Sequence, residues 1–288
     1  MACSYSEAET LLVPEIRTAA ITTKIGNTDS EAAAVRVAAL LAASGVKTFS
    51  VLPLRIEGAT ASKPDDLGKV KLDLIVAIGG DGTTLRAFRM IPGKAPLFGI
   101  NSGGHRGVLA EIDSSSIDSA MAAILAGKYF YDSRIRIQAF AGGKSFPPAL
   151  NDLLITRVSL TRTPVISIKL MGDEIKQRMD GIVISTPTGS TGHSFSVGGP
   201  VLHEGMDCLI LTPIASVNRM PQLVMPVEEI TIQSSHESHV IVDGQETFKV
   251  EPDTPIRVIR YTDDAIFLRL KKKGMRQLAK LGFSKLAF

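Results

Sequence analysis

The sequence predicts an α/β N-terminal domain, an open and mostly parallel sheet with helices on both faces, followed by a mainly antiparallel β C-terminal domain. Three observations carry this. Strand-like and helix-like segments alternate up to Lys128, the pattern of a parallel sheet covered on both faces. From Tyr129 onward the chain shows period-two segments punctuated by Gly, Pro and Asp, with few long helical stretches between them. A length of 288 residues is enough for two separate cores, which divides the chain into residues 1–128 and 129–288.

In the first half, Ile16–Thr23 is β-branched and apolar and reads as a strand. Asp29–Ala43 has helical spacing behind an Asn27/Asp29/Ser30 start, and Val46–Leu52 reads as the next strand. Arg55–Lys71, with Gly58, Pro64 and Gly68, reads as a connector. Leu72–Ile78 is a continuous apolar run, the mark of a strand buried on both faces. A helix around Thr84–Met90, a short strand Pro96–Ile100 and a helix Ser114–Ala126 complete this half. In the second half the strand signals are Arg134–Ala139, Asn151–Arg157, Val165–Met171, Gly181–Ser185 and Cys208–Thr212. Glu229–Gln233, Val240–Val242, Phe248–Val250, Ile256–Tyr261 and Ile266–Leu270 follow. Gly274–Phe288 reads as a terminal helix, and the last segment is expected to pack back on the N-terminal domain.

Composition narrows the class of function. A formal charge of +3 spread along the chain gives no nucleic-acid footprint, although it suits an anionic small molecule. The one dense basic run, Lys271-Lys272-Lys273, reads as a solvated face. No apolar stretch approaches the roughly 20 residues that span a bilayer, and early acidic residues (Glu7, Glu9) do not fit a secretory signal, so no membrane role is expected. Cys3 and Cys208 form neither a metal-ligand pattern nor a disulfide framework, which favours a reducing, cytoplasmic setting. His236 and His239 lack further ligands and read as surface residues.

Two loops carry the chemistry. Gly79-Gly80-Asp81-Gly82-Thr83 lies where a buried parallel strand ends and a helix begins, the place where open α/β sheets bind ligands. Glycines there let the backbone approach a phosphate, and the helix N-terminus favours anions. It is neither a Walker A loop nor a Gly-x-Gly-x-x-Gly fingerprint. Asp81 is the odd member, because a carboxylate aimed at a phosphate repels it unless it takes a proton or holds a metal ion. The bland alternative is a tight turn in which Asp81 caps the helix. The second loop, Asp180-Gly181 through Ser194, offers five hydroxyls (Ser185, Thr186, Thr188, Ser190, Thr191), a rigid Pro187 and two glycines in the turn itself. Hydroxyls and free amides hold phosphate or ribose without opposing charge, whereas a plain Ser/Thr turn rarely needs so many. Asn101–Gly107 again follows a strand, and Asn151-Asp152 opens one, offering an amide and a carboxylate together. Taken locally, a flexible loop and ordinary strand-start turn chemistry are the simpler readings of these two stretches.

Together these residues resemble the NAD kinase family, whose hallmarks appear here in order as Gly79–Thr83, Asn151-Asp152, and Asp180-Gly181 with Thr186–Thr191. Gly198-Gly199-Pro200 and Val242-Asp243-Gly244-Gln245 are similar to further family stretches, and the likeness runs from about Ile16 to about Leu270. The first motif is shared with phosphofructokinases and diacylglycerol-type lipid kinases; the Thr-Pro-Thr-Gly-Ser-Thr motif is far more specific. The resemblance implies an α/β domain, a β-sandwich-like domain and a cleft between them. It implies transfer of a phosphoryl group from ATP or polyphosphate, with a divalent metal (Mg²⁺ or Mn²⁺), to the 2′-hydroxyl of the adenosine ribose of NAD. Asp81 would be the catalytic base and a candidate metal holder; Gly79, Gly80, Gly82 and Thr83 would hold the donor phosphates. Asn151, Asp152, Asp180, Thr188, Thr191, Gly192, His193 and Ser196 would contact NAD, in a homodimer or homotetramer whose neighbouring subunit completes the pocket. Asp152 stands where the family usually has Glu, Gly192-His193 where it has Ala-Tyr, and Thr212–Asn218 lacks a usual Pro-His. A lipid or sugar-phosphate kinase and a non-catalytic NAD(P)-binding regulator are the competing functions.

Overall fold

The computed structural model describes residues 15–103, 107–272, 275–277 and 281. Cys3, Glu7, Glu9, Gly104–Arg106, Lys273 and most of the expected Gly274–Phe288 helix lie outside the described residues.

The first half builds β1 (Thr18–Thr23), α1 (Thr28–Ala43), β2 (Lys47–Val51), β3 (Thr60–Ser62), α2 (Pro64–Leu67), β4 (Leu74–Ile78), α3 (Asp81–Met90) and β5 (Leu97–Asn101). β6 (Ile112–Asp113), α4 (Ile117–Leu125) and β7 (Phe130–Arg134) follow. Every residue of β4 is buried, as its unbroken Leu-Ile-Val-Ala-Ile run requires, since both faces are covered. On one face α1 contributes Ala33, Ala34, Val37, Ala38 and Leu41 to a cluster shared with Ile117, Ala120, Met121 and Ile124 of α4. On the other face Leu85, Ala87 and Phe88 of α3 pack with Ile75, Ala77, Leu97 and Phe267. Burial of this kind stabilises by about 1.5–3 kcal/mol for each large side chain. α1 starts at Asn27, whose Oδ1 accepts the Ser30 amide at 2.9 Å.

The sheet order is β3-β2-β1-β4-β5, all parallel, then Ala265–Arg269 and β7, with β6 paired to β5. Strand order reverses between β1 and β4, so a crevice opens at their carboxyl ends, where β4 runs into Gly79. The chain therefore does not cross from one sheet system to the other once, at residue 128. β7 and Ala265–Arg269 both belong to the first sheet, Ala265–Arg269 parallel to β5 and antiparallel to β7.

Between them lie two six-stranded antiparallel sheets. One centres on Asp152–Arg157, Gly181–Ser185 and Ser238–Val242; the other on Val165–Leu170, Ile230–Ser234 and Ile256–Arg260. Their inward residues, among them Leu153, Ile155, Ile168, Ile184, Leu211, Ile232, Val240 and Val258, form one shared core. The expected segment Arg134–Ala139 is in fact the end of one strand and the start of another, Ile137–Ala141. Five further strands, Thr60–Ser62, Ile112–Asp113, Lys144–Ser145, Asp173–Arg178 and Leu223–Pro226, fall where the sequence suggests no strand.

Candidate active site

Asp81 is the first residue of α3, and Gly80 stands at the N-cap with no side-chain cap bond. The bland reading of Asp81 as a helix cap therefore does not describe it. Its carboxylate turns away from its own helix and accepts two amides: Leu109 N–H at Oδ1 (3.0 Å) and Val108 N–H at Oδ2 (3.2 Å). Gly107 makes this approach accessible, because a Cβ there would overlap the Asp81 carboxylate. At Gly79 (φ +153°) a Cβ would overlap Thr83 Oγ1, so the turn from β4 into α3 requires glycine. Asp81 is half-buried and each oxygen retains a lone pair, so it is fixed in place and still able to accept a proton.

The hydroxyl loop behaves differently. Thr188–Thr191 form a single 3₁₀ turn after Gly181–Ser185, and Thr186, Thr188, Ser190 and Thr191 are buried. Thr186 Oγ1 donates to the Leu150 carbonyl (2.5 Å) and accepts the Gly189 amide (3.3 Å). Ser185 Oγ donates to the Asn151 carbonyl (3.1 Å), which also accepts the Thr186 amide (2.9 Å). Ser190 Oγ exchanges bonds with the backbone of Leu202. Gly189 presses so close on Asn151 that a Cβ would overlap the Asn151 carbonyl. Thr191 Oγ1 is buried with no protein partner among the described residues.

Residues that carried no site role in the sequence join the two loops. The carboxylate of Asp243 is buried and accepts the amides of Leu150 (3.2 Å), Asn151 (2.7 Å) and Asp152 (3.2 Å). Burial pushes its carboxyl above the usual range, with the three amides and Arg89 opposing. Arg89 of α3 lies 3.9 Å from Asp243, pairs with Glu246, and donates to Gln245 Oε1 (2.6 Å). Gln245 Nε2 donates to the Gly82 carbonyl at 3.0 Å. The Asn151-Asp152 turn and the helix headed by Asp81 are thus held by the same four-residue turn, Asp243–Glu246.

A second tie runs beneath the Asp81 anchor. Arg269, fully buried, donates to the Leu109 carbonyl (2.8 Å) and pairs with Asp132 (3.1 Å) and Glu111 (3.5 Å). Burial pushes its guanidinium down to about 10, Arg276 adding to this while Asp132 and Glu111 oppose it. Arg276 also pairs with Glu111 (2.7 Å), and Gln277 Nε2 donates to the Pro187 carbonyl (3.3 Å). Val108, Leu109 and Thr188 line one small cavity of about 10 Å³, so the Asp81 anchor and the hydroxyl loop face each other.

The remaining expected residues are placed less uniformly. Asp152 is buried, pairs in register with Ser185, and has its Oδ2 within 3.5 Å of where a Gly192 Cβ would lie. His193 and Ser196 are exposed on the short helix His193–Ser196 that leaves the loop. Asp180 is at the opposite end of Gly181–Ser185, bound to Arg157 (3.0 Å). Five residue steps along the strand carry it about 16 Å from Ser185, so one chain does not bring it to Asp152. Among the described residues no group of three or more His, Cys, Asp or Glu is arranged to hold a metal ion, and no helix is long and apolar enough to cross a membrane.

Comparison with known proteins gives the family and the fold. Residues 8–129 match the ATP-NAD kinase N-terminal domain and residues 150–270 the ATP-NAD kinase C-terminal domain. The NAD kinase of Pyrococcus furiosus is 33% identical over 219 residues, 72% of this chain and 76% of that protein. That of Thermococcus sibiricus is 36% identical over 216 residues, with the same coverage. The fold is that of yeast NADH kinase in its complex with NADH, with a TM-score of 0.85 at 21% identity, over 96% of this chain and 91% of the other. It is also that of an Archaeoglobus fulgidus NAD kinase in complex with ATP, with a TM-score of 0.72 at 24% identity, over 92% and 97%. The chain belongs to the NAD kinase family.

Proposed function

We propose that this protein is an NAD kinase that transfers the γ-phosphoryl group of ATP to the 2′-hydroxyl of the adenosine ribose of NAD, giving NADP. The observation that carries the reading is Asp81: a half-buried carboxylate aimed by two amides, at the strand-order reversal of a parallel sheet, on a helix tied to the Asn151-Asp152 turn. Relatives named NAD kinase, a homologous fold solved with NADH and another with ATP support the two substrates.

Phosphoryl transfer is mostly positioning and charge neutralisation. The amides around Gly79, Gly80, Gly82 and Thr83 hold the donor phosphates at the start of α3. Asp81 accepts the proton of the attacking ribose hydroxyl, worth about 10²–10⁴-fold for a placed base. Asn151, Asp152, the free Thr191 hydroxyl, Thr188 and Gly192 receive the acceptor, with His193 and Ser196 at its rim. A divalent ion fits this site as a partner of the donor rather than a resident of a protein cage, since Mg²⁺ commonly binds through one carboxylate and substrate phosphates; Asp81 would hold it. Bound there, it neutralises charge on the transferred group. The reading of Asp180 as an NAD contact requires a second subunit, because within one chain it faces away; we infer a homo-oligomer, working in the cytoplasm.

The test is purified protein with NAD, Mg²⁺ or Mn²⁺, and either ATP or polyphosphate, read out by an NADP-specific dehydrogenase. NADP formation is expected. Phosphorylation of a diacylglycerol or a sugar phosphate with no NADP would overturn the acceptor, and binding of NAD without turnover would favour a regulator.

A further inference from the structure

Arg89 lies in the last turn of α3, the helix that Asp81 opens, about 12 Å further along its axis. A cation at a helix C-terminus is favourable in itself. This side chain, however, is only 5% exposed and reaches across to the Asp243–Glu246 turn of the β domain. Its Nε pairs with Glu246, and its Nη2 donates to Gln245 Oε1 (2.6 Å). Nη1 has no protein hydrogen-bond partner among the described residues. Asp243 Oδ2 lies 3.9 Å from it, about 1 Å beyond a hydrogen bond. We propose that Arg89 and Asp243 are positioning residues of the phosphoryl transfer. With both substrates bound, Nη1 closes onto Oδ2 and draws α3 against the Asn151-Asp152 turn, which brings Asp81 to the ribose hydroxyl; the inference rests on the kinase reading above.

Three features support this. The first is complementarity. Asp243 Oδ1 accepts two amides, from Asn151 (2.7 Å) and Asp152 (3.2 Å), whereas Oδ2 accepts only that of Leu150 (3.2 Å). Each carboxylate oxygen offers two lone-pair sites, so the unused one is on Oδ2, the atom that Nη1 approaches. Charge-assisted bonds of this kind gain their strength only at contact, about 2.7–2.9 Å. The second is leverage. One end of the pair is joined to Asp81 through a continuous helix, and the other to the acceptor turn through three amides. A small movement of the pair therefore moves both loops. The third is the guide between them. Gln245 takes Arg89 on its Oε1 and gives its Nε2 to the Gly82 carbonyl (3.0 Å), so one turn grips both ends of α3. A Cβ built at Gly82 would lie 3.2 Å from that Nε2, which places the glutamine directly on the glycine loop. The distance at stake matters, because a misplacement of about 1 Å at reacting groups costs about 10²-fold in rate.

Two variants of the full chain test it. Arg89→Lys keeps the charge at the helix end and loses the fork that reaches three acceptors. Gln245→Met, at an exposed position, removes both glutamine bonds with little change of volume, and serves if Arg89→Lys folds poorly. Turnover should fall about 10²-fold in Arg89→Lys and about fivefold in Gln245→Met, with calorimetric affinities for NAD and for ATP within about threefold of wild type. Normal turnover in both variants overturns the proposal and leaves Arg89 a helix-end cation. Affinity losses as large as the turnover losses also overturn it, since the residues then only brace the pocket. A crystal structure with NAD and a non-hydrolysable ATP analogue reads the closure itself: Nη1 to Oδ2 at about 2.8 Å is expected, and a gap still at 3.9 Å overturns it. A wild type that forms no NADP but phosphorylates another acceptor sinks the acceptor reading alone, because the same split between turnover and affinity is then read with that acceptor. A wild type that phosphorylates nothing sinks both.

Discussion

The two loops that face each other across the site use polar residues in opposite ways. The glycine loop is thin and half-open, and its one charged side chain is oriented from outside by the amides of Val108 and Leu109. The hydroxyl loop is buried, and most of its hydroxyls are consumed in fastening it to Leu150, Asn151 and Leu202. Polar content alone therefore does not mark ligand contacts. In the first loop the polar group is left half-open; in the second the polar groups are mainly the scaffold, and Thr191, whose hydroxyl has no protein partner among the described residues, is the exception.

That contrast is best attacked at Asp81. Asp81→Asn removes charge and basicity and turns an NH₂ toward one of the two amides. Turnover should fall about 10²–10⁴-fold, a barrier increase of roughly 2.7–5.5 kcal/mol, while calorimetric NAD affinity survives. Near-normal turnover would remove the base, and recovery of the rate in excess Mg²⁺ or Mn²⁺ would show that holding the metal, not accepting the proton, is what Asp81 contributes.

On the other loop the largest effect should come from shape. In Gly189→Ala the new methyl overlaps the Asn151 carbonyl, so the backbone must move, at a cost of about 3 kcal/mol in denaturant unfolding and with loss of NAD binding. A stable variant with normal NAD affinity would show that the loop is not pinned to Asn151. The hydroxyls separate next. Thr186→Val leaves the Leu150 carbonyl without its donor and should cost about 2 kcal/mol. Thr191→Val should leave the melting temperature alone and weaken NAD roughly 2- to 12-fold. If the two variants behave alike, scaffold and ligand contact are not divided as described.

The smallest effect concerns the anchor below the glycine loop. Burial raises the Asp132 carboxyl, but Arg134 and Arg269 outweigh it and hold it below the usual carboxylate range. A depressed folded value means that the stabilisation is present above the unfolded value of about 3.9 and is lost as pH falls through the folded one. Asp132→Asn should therefore lower stability at neutral pH and flatten its decline below about pH 4. An unchanged acid limb would show that Asp132 takes no part in it.

Much of this is legible in the sequence, for physical reasons. β4 reads correctly because burial on both faces leaves only apolar residues. Of the unforeseen strands, Thr60–Ser62, Lys144–Ser145, Asp173–Arg178 and Leu223–Pro226 are at the edges of their sheets, where half-solvated backbone tolerates charge, proline and short length. The candidate site's loops are marked in the sequence and its braces are not. Asp243 acts on amides 91 to 93 residues away, a separation no local pattern encodes. Arg89 carries no mark of its role in the sequence, since its partners Gln245 and Glu246 are 156 and 157 residues away. Asp180 shows the converse: adjacency to a functional motif in sequence becomes a strand's length of separation in space.

The return of Ala265–Arg269 to the first sheet bears on how the molecule is made. This strand inserts between β5 and β7, brings Phe267 to the α3 face and supplies the arginine that props the Leu109 carbonyl. During synthesis the α/β half emerges first, yet this sheet gains its last-made strand only when residues 265–269 leave the ribosome. Until then β5 and β7 present open edges, a state that invites pairing with other chains. The brace beneath the glycine loop, Arg269 on the Leu109 carbonyl, is therefore supplied only by the finished chain.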